Sequence, residues 1–209
     1  KAHGHLTKGD FSAVELTEAH LRRIEESDEE IQAYLEVFDD VQEQAKKAVH
    51  AAYSAKGPVY IRNCREKTPV FTTKKTPFEV GKAQVLRDGT DVTVIGHGYM
   101  VYWLLQIAEE LKDKLSIEVI NLHTIKPLDE KTLITSAKKT GKVFCAEDHN
   151  VIGGMGSAVA ELLAQKASVP VFCHGVQDTF AESGSMVELL VKYGMDKEGT
   201  KKALLKFLQ

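Results

Sequence analysis

With a formal charge of −3 spread over 209 residues, the chain lacks the basic excess that would hold a nucleic acid. Its 43% hydrophobic content suffices for a buried core, while no apolar run approaches the roughly 20 residues of a membrane span and no secretory signal is visible. Neither nucleic acid nor a membrane is therefore expected as a partner, and a cytoplasmic location is.

Residues 11 to 52 carry helical spacing. Ser12 can cap a helix, with Glu15 three residues on closing a capping box. Val14, Leu16, His20, Leu21 and Ile24 recur among charged residues. A charged break at Glu26-Ser27-Asp28-Glu29-Glu30 interrupts them. Ile31, Tyr34, Leu35 and Phe38 resume the pattern, followed by Val41, Ala45 and Ala48. A helical arm over 1–56 is expected. The chain opens at Lys1 rather than Met, as a fragment or processed product would. At Gly57-Pro58 the composition shifts. Val59-Tyr60-Ile61-Arg62 reads as a short strand, and Cys64 to Thr76 as a polar, basic linker, giving a second segment over 57–77.

From residue 78 to 209 strands and helices alternate. Gly81 to Arg87 is a strand candidate closed by the turn Asp88-Gly89, and Asp91 to Gly96 is another. Val101, Leu104, Leu105, Ala108 and Leu111 mark one helix face, and Ile117 to Leu122 a third strand. Asp129 is placed to cap a helix carrying Leu133, Ile134 and Ala137. Val143 to Ala146 is a fourth strand. It runs into the polar residues Glu147-Asp148-His149, then through Gly153-Gly154-Met155-Gly156 into a helix from Ser157. Val169 to Cys173 is a fifth strand, with Pro170 arguing for an edge position. Helices over Met186–Tyr193 and Asp196–Leu208, the second capped by Asp196, close the chain. This alternation predicts an α/β fold with a mostly parallel sheet covered on both faces.

Candidate site residues gather after two strands. Gly153, Gly154 and Gly156, with Ser157, could offer backbone N–H groups to an anion. The spacing is not G-x-G-x-x-G, however, and no P-loop lysine follows. Asp148 and His149 could form an oriented acid–base pair, but adjacent residues rarely orient each other. A loop hydrogen bond or an interface is the simpler reading. His97, in Gly96-His97-Gly98, should lie at the same sheet edge as His149. Two histidines without a third ligand make no metal site. Glu182-Ser183-Gly184-Ser185 sits where Ser and Glu cap helices. Cys64, Cys145 and Cys173 have no metal-ligand spacing. Two of them lie in strand-like runs, as buried free thiols in a reducing compartment would.

Four stretches carry a resemblance when taken in order: Gly57-Pro58-Val59-Tyr60-Ile61-Arg62; Asn121 to Asp129; Glu147-Asp148-His149-Asn150 with Gly153-Gly154-Met155-Gly156; and Glu182-Ser183-Gly184-Ser185. Over about residues 48 to 208 the chain resembles the C-terminal part of transketolase, an enzyme family of the pentose phosphate pathway, and especially the C-terminal subunit of split transketolases. The resemblance implies a three-layer α/β/α domain. Its five-stranded mixed sheet would have the first strand, Gly81 to Arg87 here, antiparallel to the rest. In that family thiamine diphosphate and magnesium lie between two other domains. The Gly-Asp-Gly and Asn-containing segment that binds them does not occur here. The activating glutamate belongs to a domain that ends near where the match begins. No cofactor is therefore expected in this chain, and no catalysis by it alone. Dimer support within a thiamine diphosphate-dependent enzyme is the expected role. A C-terminal subunit acting with a cofactor-binding partner chain and a small-ligand binding module are the alternatives.

The first 40 or so residues are similar instead to the N-terminal helices of amidase-signature enzymes such as the glutamyl-tRNA amidotransferase A subunit. Ser12 to Leu21, Ile24-Glu25 and Ala33-Tyr34-Leu35 carry this likeness. The resemblance implies a fusion with its seam near Gln44 to Val49, without the amidase's catalytic lysine and serines. The arm's stripe of Val14, Leu16, Leu21, Ile24, Ile31, Leu35 and Phe38 needs apolar cover. The arm could fold back on the α/β domain, pair with a second copy or stay without fixed structure; pairing of two arms in a homo-dimer is the expected outcome.

Overall fold

Helix α1 runs from Asp39 to Ser54 and ends where the Ala55 N–H reaches back to the Ala52 carbonyl at 3.2 Å. Gly57 follows with φ +117°, a backbone conformation that a side chain would resist. The computed structural model describes residues 15, 18–19, 39–64, 69–73 and 75–209. The expected Ser12 cap, the charged break and the arm's apolar stripe lie outside the described residues. The expected strand at Val59 to Arg62 does not form. Its residues are exposed, Tyr60 at 88%, and among the described residues no strand pairs with them. A strand needs a neighbour for its backbone groups, and β-rich composition cannot supply one. The chain divides into two units with the boundary between Val80 and Gly81. Within the first unit, Lys47 Nζ donates to the Thr76 carbonyl at 2.7 Å.

The second unit contains β1 (Gln84–Arg87), β2 (Val92–Gly96), α2 (Met100–Glu110), β3 (Ile117–Asn121), α3 (Glu130–Thr140), β4 (Val143–Asn150), α4 (Met155–Lys166), β5 (Val171–Val176), α5 (Met186–Lys192) and α6 (Lys197–Leu208). The sheet order is β1-β3-β2-β4-β5. β1 runs antiparallel to β3, and the other pairs are parallel. This is the mixed sheet that the resemblance implied. β5 is an edge strand, as Pro170 suggested.

Helices α2 and α6 pack together on one face of the sheet and α3 and α4 on the other. The two-residue period of the strands sorts side chains between these layers. Ile95, Ile120, Val143 and Cys145 join Leu133, Ala137, Met155, Val159 and Leu163 in the core under α3 and α4. Phe144, one residue out of phase, stacks with Phe172 at 5.5 Å and meets Phe207 of α6 at 6.3 Å. Gly96 is tight because a Cβ there would lie 2.9 Å from Leu104 of α2.

Polar residues fix the helices to the sheet. Asp129 caps α3 through the Thr132 N–H at 3.2 Å and also accepts the Ala83 N–H, just before β1, at 3.0 Å. Burial works to raise this carboxyl's pKa. The hydrogen bonds from Ala83 and Thr132, with Lys82 nearby, outweigh it and hold the carboxyl below its ordinary value. At the opposite sheet end, Glu118 is buried and pairs with Lys139 of α3, while Thr93 donates to it at 3.3 Å. Glu110 at the end of α2 accepts from Lys197 at 2.6 Å and from Lys201 at 2.7 Å. In that order these bonds bring its carboxyl down to about 2. Asp196 caps α6 through the Gly199 N–H at 3.1 Å.

His174 of β5 is the buried hinge between the sheet and α6. It shares a 3.2 Å hydrogen bond with Thr200 and lies 5.6 Å from the Phe144 ring. Burial lowers its pKa, with a hydrogen bond to the Gly194 backbone and the Asp196 carboxylate working the other way. The unfolded chain therefore takes up this proton at a higher pH than the folded one. The stabilisation is present above the ordinary histidine value of about 6.5 and is lost as pH falls through the lower folded value. His123, also lowered by burial, acts in the same direction. The melting temperature should fall between pH 7.5 and pH 5. His174→Gln, which can keep the Thr200 contact, should show a shallower fall. Identical pH slopes for the two proteins would remove His174 from this account.

Candidate functional site

In register, Gly96 of β2 pairs with Asn121 of β3 and with Ala146 of β4, so these strands finish at one edge. His97 follows that line by one residue, His123 by two and His149 by three. β2 leads through α2 to β3 on one side, while β4 leads through α4 to β5 on the other. The crevice between β2 and β4 is thus the topological switch point of the sheet, where α/β folds most often seat ligands.

Strand β4 does not stop at Ala146, as the polar run suggested, but continues to Asn150. Opposite Gly175 of β5 it bulges. Ala146 pairs with His174 and Asn150 with Val176, so three β4 residues face one on β5. A Cβ at Gly175 would come within 2.6 Å of the His149 carbonyl oxygen, so glycine makes room for the bulge. The continued alternation from Val143 and Cys145 turns Glu147 toward α4.

There the buried Glu147 carboxylate accepts the Met155 N–H at 2.7 Å and the Gly156 N–H at 2.8 Å. It satisfies the orphan donors at the start of α4 and sits at the positive end of the helix dipole. The glycines are cut to this carboxylate. A Cβ at Gly154 would lie 2.3 Å from Glu147 Oε2, and one at Gly156 would lie 2.7 Å from Cys173 Sγ. The rest of the loop is also engaged. The Ile152 N–H donates to Asn150 Oδ1 at 2.8 Å, the Gly153 N–H to Ser157 Oγ at 3.0 Å, and the Ser157 hydroxyl to the Val151 carbonyl at 2.8 Å. Of the groups expected to be open to an external anion or an interface, the Gly153 and Gly156 N–H and the Ser157 hydroxyl are bonded within the chain. The Glu147 carboxylate occupies the start of α4.

His149 is exposed, and its Nδ1 bonds the Asn150 carbonyl at 2.7 Å rather than the neighbouring Asp148 carboxylate. Among the described residues, no three His, Cys, Asp or Glu side chains could hold a metal ion. Cys145 and Cys173 are register partners on β4 and β5, and both are free thiols, as is the exposed Cys64. Burial raises the pKa of both strand cysteines, Cys145 well above the ordinary thiol value; Cys173 and then Glu147 add to it at Cys145, and Glu147 adds to it at Cys173. Such thiols are poor nucleophiles at neutral pH. Ser185 caps α5 in a full capping box with Glu188, which accounts for the Glu-Ser-Gly-Ser stretch.

The sequence motif contains Glu147 but assigns it no role. The available signal is an acidic residue in phase with the inward-facing β4 positions, shortly before a glycine-led helix. His123 could not be placed at this edge from the motif, because its position depends on the register of β3.

The transketolase C-terminal domain family matches residues 81–199. A 6-deoxy-6-sulfo-D-fructose transketolase subunit of Clostridium sp. is 45% identical over 140 residues, which cover 66% of this chain and 44% of that protein. A putative transketolase C-terminal section of Methanocaldococcus jannaschii is 37% identical over 164 residues, covering 77% of this chain and 51% of that protein. The solved structure of a split-gene transketolase, an inactive tetramer of four beta chains, superposes with a TM-score of 0.73 at 38% identity, covering 79% of this chain and 54% of that one. The chain spans about half the length of these relatives. Both the antiparallel first strand and the sequence agreement place it in one family: the chain belongs to the transketolase C-terminal domain family.

Proposed function

We propose that this chain is an assembly module of a thiamine diphosphate-dependent ketol-transfer enzyme, homo-oligomeric and without catalysis of its own. The observation that carries this reading is the Glu147 carboxylate on the Met155 and Gly156 N–H groups. The helix N-terminus at the switch point, which could have received a diphosphate, is committed to an internal anion. The residues present do not fit thiamine diphosphate with magnesium. The sequence has no Gly-Asp-Gly, and among the described residues no metal-ligand group forms. His97, Asp148 and His149 then serve as edge residues facing another chain or domain. The homo-oligomer follows the split-gene relative that assembles from one kind of chain.

Isothermal titration of the purified chain with thiamine diphosphate and magnesium should give no saturable heat. One tight site per chain would overturn the reading.

A second reading, a C-terminal subunit acting with a cofactor-binding partner, is favoured by the relatives described as subunits. One of these belongs to an apulose-4-phosphate transketolase from Phocaeicola vulgatus and is 35% identical over 168 residues. In this reading both cofactor domains come from the partner. A stoichiometric thiamine diphosphate-binding chain that co-purifies with this one would favour it over the first. The amidase-like origin of the first 40 or so residues remains part of the proposal. It predicts that removing them leaves the α/β unit folded.

A further inference from the structure

Cys145 and Cys173 stand side by side on neighbouring parallel strands. Register partners in such a pair point to the same face of the sheet. One residue earlier, the same two strands bring Phe144 and Phe172 into a stack at 5.5 Å on the α6 side. The cysteines, one residue out of phase, face α4 instead. Cys145 lies in the core with Met155 and Val159, and a Cβ at Gly156 of α4 would lie 2.7 Å from the Cys173 Sγ. Neighbouring strands run about 4.8 Å apart, within the roughly 4.4 to 6.8 Å between α-carbons that a disulfide spans. The β-carbons would have to approach to about 3.8 Å, so a bond here is strained and readily reduced. The two thiols differ in access. Cys145 is buried, whereas Cys173 is half-buried on β5, an edge strand.

We propose that Cys145 and Cys173 form a reversible oxidation site, in which a peroxide oxidises Cys173 and Cys145 resolves the product as a disulfide. The Cys173 sulfur attacks one oxygen of hydrogen peroxide. The O–O bond breaks, Cys173 becomes a sulfenic acid, and the thiol proton leaves with the other oxygen as water. The Cys145 sulfur then attacks the sulfenic sulfur. The S–O bond breaks, the S–S bond forms, and the Cys145 proton leaves with the hydroxide as a second water. Two thiols lose two electrons, and the peroxide takes them up. Burial keeps both thiols largely protonated at neutral pH, so the first step is slow. Placement rather than acidity singles out the pair, because a sulfenic acid at Cys173 has a thiol beside it. Cys64 lies in the first unit, where the sequence holds no second cysteine.

The test uses the full chain carrying Cys64→Ser, an exposed position, so that Cys145 and Cys173 are the two thiols left. The folded protein is treated with hydrogen peroxide at about pH 8.5, the ordinary thiol pKa, where more thiolate forms. It is then unfolded in acid with N-ethylmaleimide, which marks every remaining thiol. Free thiols should fall from two per chain to none. Digestion without reductant should yield the Cys145 peptide joined to the Cys173 peptide, lighter by two hydrogens than the separate pair. Dithiothreitol should restore both thiols, and electrophoresis without reductant should show the size of one chain. With Cys145→Ala added, the sulfenic acid has no resolving thiol, so Cys173 should be captured by dimedone or pass to a sulfinic acid that dithiothreitol does not reverse. With Cys173→Ala added, Cys145 should come through the same treatment as a free thiol. In the two-cysteine chain, over-oxidised Cys173 beside a free Cys145 would overturn the proposal, as would two unreacted thiols or a link formed only between chains. Dimedone capture at Cys145 rather than Cys173 would overturn the assigned order. Should an alanine variant not fold, the joined peptide of the two-cysteine chain decides alone.

Discussion

Glu147→Ala should lower the stability of the α/β unit by about 3 to 5 kcal/mol, because two hydrogen bonds to one buried carboxylate are lost together. The carboxylate is 1% exposed and serves two backbone donors at 2.7 and 2.8 Å. Its removal strands both N–H groups where water does not reach. Hydrogen bonds to a charged group contribute about 1.5 to 3 kcal/mol each, so two of them account for the size. The space left by the side chain adds a smaller loss through lost packing. Glu147→Gln keeps the shape but places an amide NH2 against one of the two donors, so its loss should be intermediate. Urea unfolding followed by circular dichroism would measure both. A loss below about 1 kcal/mol for the alanine variant would mean that the α4 amides find other partners, and the internal anion would not be what holds the loop.

Gly154→Ala should cost about 2 to 3 kcal/mol, and it should do so through Glu147. The backbone at Gly154 is ordinary, with φ −86° and ψ −167°, so any residue can adopt it. Space is the constraint. The new methyl would lie 2.3 Å from Glu147 Oε2 and 2.6 Å from its carboxyl carbon. Carboxylates at the end of a flexible side chain can usually retreat, but this one is held by two hydrogen bonds and lies in the core. The methyl and the carboxylate therefore compete for one place. In a Glu147→Ala background that competition is gone. The double variant should lie within about 1 kcal/mol of Glu147→Ala alone, giving a coupling energy nearly the size of the Gly154→Ala effect. Strict additivity in the cycle would show that the glycine is needed for another reason.

Much of the architecture could be read from local signals. The spacing of apolar residues separated strands from helices between Gln84 and Leu208, and Asp129, Ser185 and Asp196 each marked a helix start that the structure places within a residue. These are short-range effects: a side-chain oxygen meets a backbone N–H two or three residues on, and periodicity follows from the geometry of one helix or strand. Pro170 likewise announced an edge strand, because its missing donor is tolerated only there. The antiparallel direction of β1 came from the family resemblance and not from the pattern, which is blind to strand direction.

The sequence by itself determined the alternation of strands and helices, their caps and the family. It could not decide what the carboxyl edge binds. Gly153 to Ser157 had the composition of an anion loop, and only the register of β4 against β5 showed that an anion from the same chain already sits there. The bulge opposite Gly175 carries β4 past Ala146 and keeps Glu147 on the inward side, an arrangement that depends on a residue far along the chain. The strand expected at Val59 to Arg62 failed for the related reason that pairing is not a local property. Propensity states which backbone shape a segment accepts, but only its neighbours in space supply the partners for its hydrogen bonds.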